Sequence, residues 1–248
     1  LIGINSVAGW SLLVFKCSFE YWIIDMSDQG RQFKNRIYDE LSRVGKALAS
    51  GPRLELIDLL CQGPRTVEEL ARQAGQTVAN TSHHLQVLNH SRLVEREKQG
   101  VHVTYRLSDE QVCTLYRDLR HLAQARLDEI DAVTRQFLLS RDAMETVDQK
   151  TLMARLRSGE VTVLDVRPAE EYCAGHIPGA LSVPLAELET RLTELPTDRK
   201  VVAYCRGPYC VLAIEAVATL RRHGFDAERL EEGVPDWRSR GGEIAVAP

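Results

Sequence analysis

The sequence predicts an α+β half followed by an α/β half. Three observations carry that expectation. From Phe33 to Leu48, apolar residues recur at spacings of three and four, the stripe of an amphipathic helix. Two extended runs, Leu93–Glu97 and Val101–Leu107, flank Lys98-Gln99-Gly100, which is hairpin chemistry. Beyond Val147, short β-rich runs alternate with helical stretches, the grammar of a mostly parallel sheet covered by helices.

The elements follow in order. Residues 1–24 carry many apolar side chains, among them Trp10, Leu12, Leu13, Val14, Phe15, Trp22, Ile23 and Ile24. Lys16 and Glu20 interrupt them, so no run reaches the roughly 18–20 residues of a spanning helix. No basic leading region or small-residue cleavage site marks a signal peptide. Met26 is a plausible start just before the first clear helix, so residues 1–30 read as an extension outside the fold, with a membrane-touching arm as the lesser alternative. Phe33, Ile37, Leu41, Val44 and Leu48 then line one helix, which Ser50-Gly51-Pro52 breaks. Arg53 to Cys61 forms a second helix. Thr66 and Glu69 make a capping-box pattern that starts a third, ended by Gly75, and Thr77 caps a fourth through Asn89.

After the hairpin, Ser108 caps a long helix carrying Val112, Leu115, Leu119, Leu122, Ile130, Val133 and Phe137. A small domain cannot cover that length, so residues 109–138 are expected to pair with a second copy in a homodimer. Ser140 to Val147 is polar and aperiodic. The joint is placed there, giving domains over 31–139 and 147–248 with a linker at 140–146. In the second domain, strands at Val161–Val166 and Lys200–Tyr204 alternate with helical Thr151–Arg157, Leu185–Leu192 and Val211–His223.

A composition with 44% hydrophobic and 27% charged residues is that of a globular protein, which excludes a disordered or collagen-like chain. The net charge of -4 gives no global sign of nucleic-acid binding, but a basic groove-facing surface can coexist with an acidic second domain. Of six cysteines (Cys17, Cys61, Cys113, Cys173, Cys205 and Cys210), only the last two lie close together. Such scatter reads as reduced cytoplasmic thiols, not as a secreted disulfide framework.

Helix, turn, helix and hairpin is the layout of a winged helix-turn-helix, whose second helix can enter the major groove. On Thr77–Leu88, Leu85 and Leu88 face the core, while Thr77, Asn80, Ser82, His83 and Gln86 can present donors and acceptors outward. Arg96, Lys98 and His102 on the hairpin suit phosphate contact. Leu48–Ile57 (LASGPRLELI), Thr66–Ala71 (TVEELA), Ser82–Leu88 (SHHLQVL) and Gly100–Leu107 (GVHVTYRL) together resemble the ArsR/SmtB group of dimeric transcriptional repressors over about 33–138. That resemblance implies a homodimer on double-stranded DNA. Many relatives sense metals, some through a Cys-x-Cys pair at the start of the third helix, where this chain has Thr66-Val67-Glu68-Glu69. Asp118 and His121 on the last helix are an incomplete set, so no metal site is expected. Other relatives sense persulfides through one cysteine in the second helix and one in the last. Cys61 and Cys113 occupy those helices, though not evidently the same turns, and two small buried residues are the preferred reading.

The second half is similar to rhodanese domains over about 147–245. Leu164–Pro168 (LDVRP), Glu171–Ala180 (EYCAGHIPGA), Val202–Gly207 (VAYCRG) and Gly233–Trp237 (GVPDW) occur in the right order. The strand Lys200–Tyr204 ends at Cys205, with a helix a few residues on. The backbone N–H groups of such a loop form an anion nest that favours a thiolate. Arg206 adds positive charge, and Gly207 permits the turn. The resemblance implies that Cys205 takes the outer sulfur of a donor such as thiosulfate or a persulfide and passes it to a thiol, with no metal or organic cofactor. Rhodanese loops usually carry a basic or hydroxyl residue where Cys210 stands. That position is read either as a resolving thiol or as a small residue opening the helix. Asp165, Arg167 and His176 are expected to support loops. The expected function is a cytoplasmic, non-membrane DNA-binding regulator tuned by sulfur or redox chemistry at Cys205. The alternative is a sulfurtransferase tethered to a DNA-binding module.

Overall fold

The computed structural model describes residues 28–99, 102–141 and 145–247, so most of the expected extension, and Gly100 of the hairpin, lie outside the described residues. The chain forms two compact units, through Leu41 and from Ser42 onward. Helix α1 (Asp28–Leu48) enters both. In the first unit, its Phe33, Ile37, Tyr38 and Leu41 are exposed.

In the second unit, Pro52 sits in the first turn of α2 (Gly51–Leu60), where its missing N–H has no helical partner to lose. The Arg53 guanidinium donates to the carbonyls of Lys46 and Ala47, satisfying the end of α1. After β1 (Arg65–Thr66), helix α3 (Val67–Gln73) starts on a complete Thr66–Glu69 capping box. Helix α4 (Val78–His90) is capped by Thr77. Strands β2 (Val94–Gln99) and β3 (His102–Leu107) pair antiparallel, and β1 joins the other edge of β3. Leu56, Ile57, Leu70, Leu85, Leu88 and Tyr105 are the heart of this core.

One expectation is corrected. The helix expected over 109–138 is two helices, α5 (Glu110–Gln124) and α6 (Asp128–Leu139), with Leu127 extended between them. No glycine or proline forces the break. Asp128, Glu129 and Asp131 favour a new helix N-terminus there. Turning at that point lets Phe137 and Leu138 pack against Ile214 in the second half.

That half begins with β4 (Thr146–Val147), α7 (Gln149–Ser158), β5 (Val161–Asp165), α8 (Ala169–Ala174) and β6 (Leu181–Ser182). The expected helix Leu185–Leu192 is instead 3₁₀ turns at Leu185–Thr190 and Leu192–Glu194, hemmed in by Pro184 and Pro196. Then come β7 (Lys200–Tyr204), α9 (Val211–Arg222), β8 (Ala227–Leu230) and α10 (Val234–Ser239). The sheet is parallel throughout, in the order β4-β8-β7-β5-β6. Along β7 the side chains alternate between two cores: Val201 and Ala203 pack with α9, Val202 and Tyr204 with Leu152 of α7 and Trp237 of α10. Burying β7 on both faces fixes the point where Cys205 leaves the sheet. No described helix is long and apolar enough to cross a membrane.

Candidate functional site

Two sites can be built from these elements. The first is the outer face of α4. Leu85 and Leu88 are fully buried, which turns Asn80, His83 and Gln86 outward, with Ser82 half-buried beside them. Thr77 is exposed, but its hydroxyl accepts the Asn80 N–H as the helix cap, and the Asn80 amide donates to Gln76. Arg96 and Lys98 are exposed on β2, whereas the His102 side chain lies outside what is described. A groove of about 470 Å³ runs beside α4, where Arg43 and Lys46 of α1 join His83, Gln86 and His90. Those two cations were not foreseen, because they lie about 40 residues earlier in the chain, on a helix legible only as core.

The second site is the loop from Cys205 to Cys210. Cys205 is 2% exposed, while Cys210 is half-buried at the N-cap of α9. The Cys205 thiol faces the carbonyl oxygens of Cys210 at 3.5 Å and Gly207 at 4.0 Å. Burial, with the neighbouring Cys210 sulfur next, pushes the Cys205 thiol well above the usual range. Cys210 is lowered to about 7, first by the hydrogen bond from Cys205, then by the Arg206 and Leu212 backbone and the Arg206 charge. Gly233 is required here, since a Cβ on it would collide with the Arg206 carbonyl and Gly207 N.

The side chains around the loop are bound to one another. Arg167 is 1% exposed and grips Asp165 through Nε and Nη2, with Nη2 also donating to the Gly175 carbonyl. His176 stacks on Tyr172 and bonds its carbonyl through Nδ1. The Arg206 side chain is held by partners outside the loop. Its guanidinium binds buried Glu171 at 2.7 Å and the Gln73 side chain at 3.1 Å. Arg65 of β1 lies 3.0 Å from the same carboxylate. Gln62 donates to the Arg206 carbonyl and accepts from Arg167. Arg120 of α5 pairs with Asp236 of α10 at 2.5 Å, and Arg117 donates to the Pro235 carbonyl. The loop is therefore roofed by α2, α3 and α5.

Comparison with known proteins finds relatives for both parts of the chain. The profile of the bacterial regulatory protein, arsR family, matches residues 50–96, and that of the rhodanese-like domain matches 148–240. The HTH-type transcriptional regulator Rv0324 of Mycobacterium tuberculosis is 43% identical over 208 residues, covering 84% of this chain and 91% of its own. The chain belongs to the ArsR family of transcriptional regulators. A sulfurtransferase of Allochromatium vinosum is 36% identical over 104 residues, 41% of this ArsR-family chain and 94% of that protein. The solution structure of the homodimeric winged helix-turn-helix domain of Mb0332 from Mycobacterium bovis is 39% identical, covering 41% of this chain and 90% of that one, with a TM-score of 0.37.

In this ArsR-family regulator a third feature corrects the sequence reading. Cys61 of the α2 C-cap and Cys113 of α5 are joined in a disulfide, with Cα atoms 5.6 Å apart, so they are not merely separate buried residues. Both sit on the same turn-level because α5 packs against α2. A cavity of about 540 Å³ opens beside the bridge, lined also by Arg106, Arg117 and Arg238. Among the described residues, no three His, Cys, Asp or Glu side chains gather as they would around a metal ion.

Proposed function

We propose that the chain is a cytoplasmic, homodimeric repressor or activator that binds double-stranded DNA through α4 and the β2–β3 wing. Its operator affinity follows the sulfur state of the Cys205–Cys210 loop, set by a small sulfur donor or persulfide. Its working parts are a DNA-binding and dimerisation domain over 31–139 and a rhodanese-like domain over 147–248, joined by 140–146. One observation carries the regulatory reading. Arg206, the residue after Cys205, is bonded through its side chain to Gln73 of α3 and through its carbonyl to Gln62 after α2. Helix α3 positions α4, so a change in the loop reaches the DNA-reading helix through one residue. The near-complete burial of Cys205 favours this reading over a freely turning sulfurtransferase.

Dimerisation is supported by Leu115, Leu119 and Leu122, exposed in register along α5. The deciding experiment is titration of operator DNA with reduced protein before and after polysulfide, with the Cys205→Ser/Cys210→Ser double variant as control. A treated wild type with altered affinity and an indifferent double variant are expected. Equal affinity in all four titrations would leave the rhodanese-like half without a regulatory role.

A further inference from the structure

We infer that the cavity beside the Cys61–Cys113 bridge is a binding site for a small organic polyanion, whose carboxylate or phosphate groups are taken by Arg106, Arg117 and Arg238. None of the residues lining it belongs to the Cys205–Cys210 loop, so the site does not depend on the sulfur chemistry proposed above.

Shape is the first argument. A volume of about 540 Å³ lies within the usual range of small-molecule sites and leaves room for an organic molecule. The cavity forms where the end of α2, the end of β3, the first turns of α5 and helix α10 meet. The bridge ties Cys61 to Cys113 and so fixes the wall between α2 and α5. Helix α10 supplies Pro235 and Arg238 from the second half, so a ligand held here touches both halves of the chain.

Charge is the second argument, and Arg117 carries it. This half-buried side chain donates to the Pro235 carbonyl at 2.9 Å and to the Thr114 hydroxyl at 3.2 Å. Its Nε is shielded from solvent and has no hydrogen-bond partner. Both partners are neutral, so among the described residues this guanidinium has no carboxylate of its own. A cation drawn partly out of water without a counter-charge carries a desolvation cost that a bound anion offsets.

The other two cations are held only by surface pairs. Arg106 pairs with Glu95 across the hairpin, with both side chains about half exposed, and Arg238 lies 4.0 Å from Glu110. Exposed pairs of this kind contribute little and give way to a better partner. The acids lining the cavity do not cancel the set. Asp109 is occupied as the cap of α5, accepting the Gln111 N–H at 2.7 Å, and the Glu110 side chain is 77% exposed.

The test is calorimetric titration of the full chain, bridge intact, with citrate and with pyrophosphate in a low-salt zwitterionic buffer. One site per chain is expected, with Kd below about 1 mM for at least one of the two. Citrate alone marks a carboxylate ligand, and pyrophosphate alone a phosphate ligand. Arg117→Gln should weaken binding by at least about tenfold and Arg238→Gln by at least about threefold. Should Arg117→Gln disturb the contact between α5 and α10, Arg238→Gln still decides, because that side chain is exposed. Arg157→Gln removes the same charge from an exposed position of α7 outside the cavity, and should leave Kd within about twofold. The bridge gives a reading that needs no variant. It lines the same cavity, so saturating anion should slow its reduction by uncharged dithiothreitol by at least about threefold. The site is overturned by no binding of either anion at about 10 mM, by equal loss in Arg157→Gln and Arg238→Gln, or by a bound anion that leaves reduction of the bridge unchanged.

Discussion

Gln86 and Asp58 show how one residue can be decisive for opposite reasons. Gln86 is exposed on α4 because Leu85 and Leu88 are held in the core. If it reads a base edge with both amide atoms, Gln86→Ala will lose about 1–3 kcal/mol for the preferred operator and relax preference at one position. Arg96→Ala and Lys98→Ala should instead weaken all sequences alike and reduce the salt slope by about one unit each, which titration over a salt series distinguishes. Asp58 was not legible as special, being one acid on a short helix. In the fold it is half-buried beneath the second half, and burial raises its carboxyl from 3.8 to about 6 despite Arg120, Arg206 and the Tyr116 hydroxyl. A raised acid is favoured when protonated, so folding stability rises as pH falls from about 6 towards 4, and the ionised form costs about 3 kcal/mol at pH 7. Asp58→Asn keeps an acceptor for Tyr116. It should therefore be more stable than wild type at pH 7 by up to that amount, with the difference vanishing below about pH 4 in denaturant titrations.

At the scale of elements, what could be read from sequence is what neighbours in sequence decide. The Thr66–Glu69 box, the Thr77 cap and the β-rich run Lys200–Tyr204 are local, and each element stands where its pattern puts it. The break between α5 and α6 could not be read, because it has no glycine or proline, and its advantage comes from Ile214, which packs with Leu138 from far along the chain. The Cys61–Cys113 bridge was equally hidden, as its 52-residue separation becomes a contact only after α5 docks on α2. Closing a loop of that length removes unfolded-state entropy worth about 4 kcal/mol in the chain-entropy picture. Cys61→Ser under oxidising conditions should therefore lower the unfolding midpoint, while wild type with reductant should match it. The exposed α5 leucines give another test: Leu119→Glu should shift sedimentation from dimer to monomer and weaken operator binding, whereas an unchanged dimer would place the interface elsewhere.

For the whole molecule, the informative contacts join residues more than 100 positions apart: Gln62 to Arg206, Gln73 to Arg206, Arg120 to Asp236. Each side chain is ordinary in its own domain, so nothing local marks it. Together they make the Cys205–Cys210 loop and helix α3 parts of one hydrogen-bonded assembly. Glu171 is its anchor, a fully buried carboxylate held by guanidinium groups from both halves. A rearrangement of the loop that moves Arg206 must either carry Gln73 along or break the bond to it, and either outcome alters the support beneath α4. Linkage then runs in both directions. If loop oxidation changes operator affinity by about 5–150-fold, the usual 1–3 kcal/mol between coupled sites, saturating operator DNA must shift the oxidation equilibrium of the loop by the same factor. Gln73→Ala removes the side-chain bond without touching either cysteine or the outer face of α4. It should leave the reduced protein's operator affinity within about twofold and shrink both shifts together. Equal shifts in Gln73→Ala and wild type, measured by operator titration in each redox state and by redox titration with and without DNA, would mean that the coupling travels by another route. A shift that shrinks in one direction alone cannot arise at equilibrium, so the paired measurement checks itself.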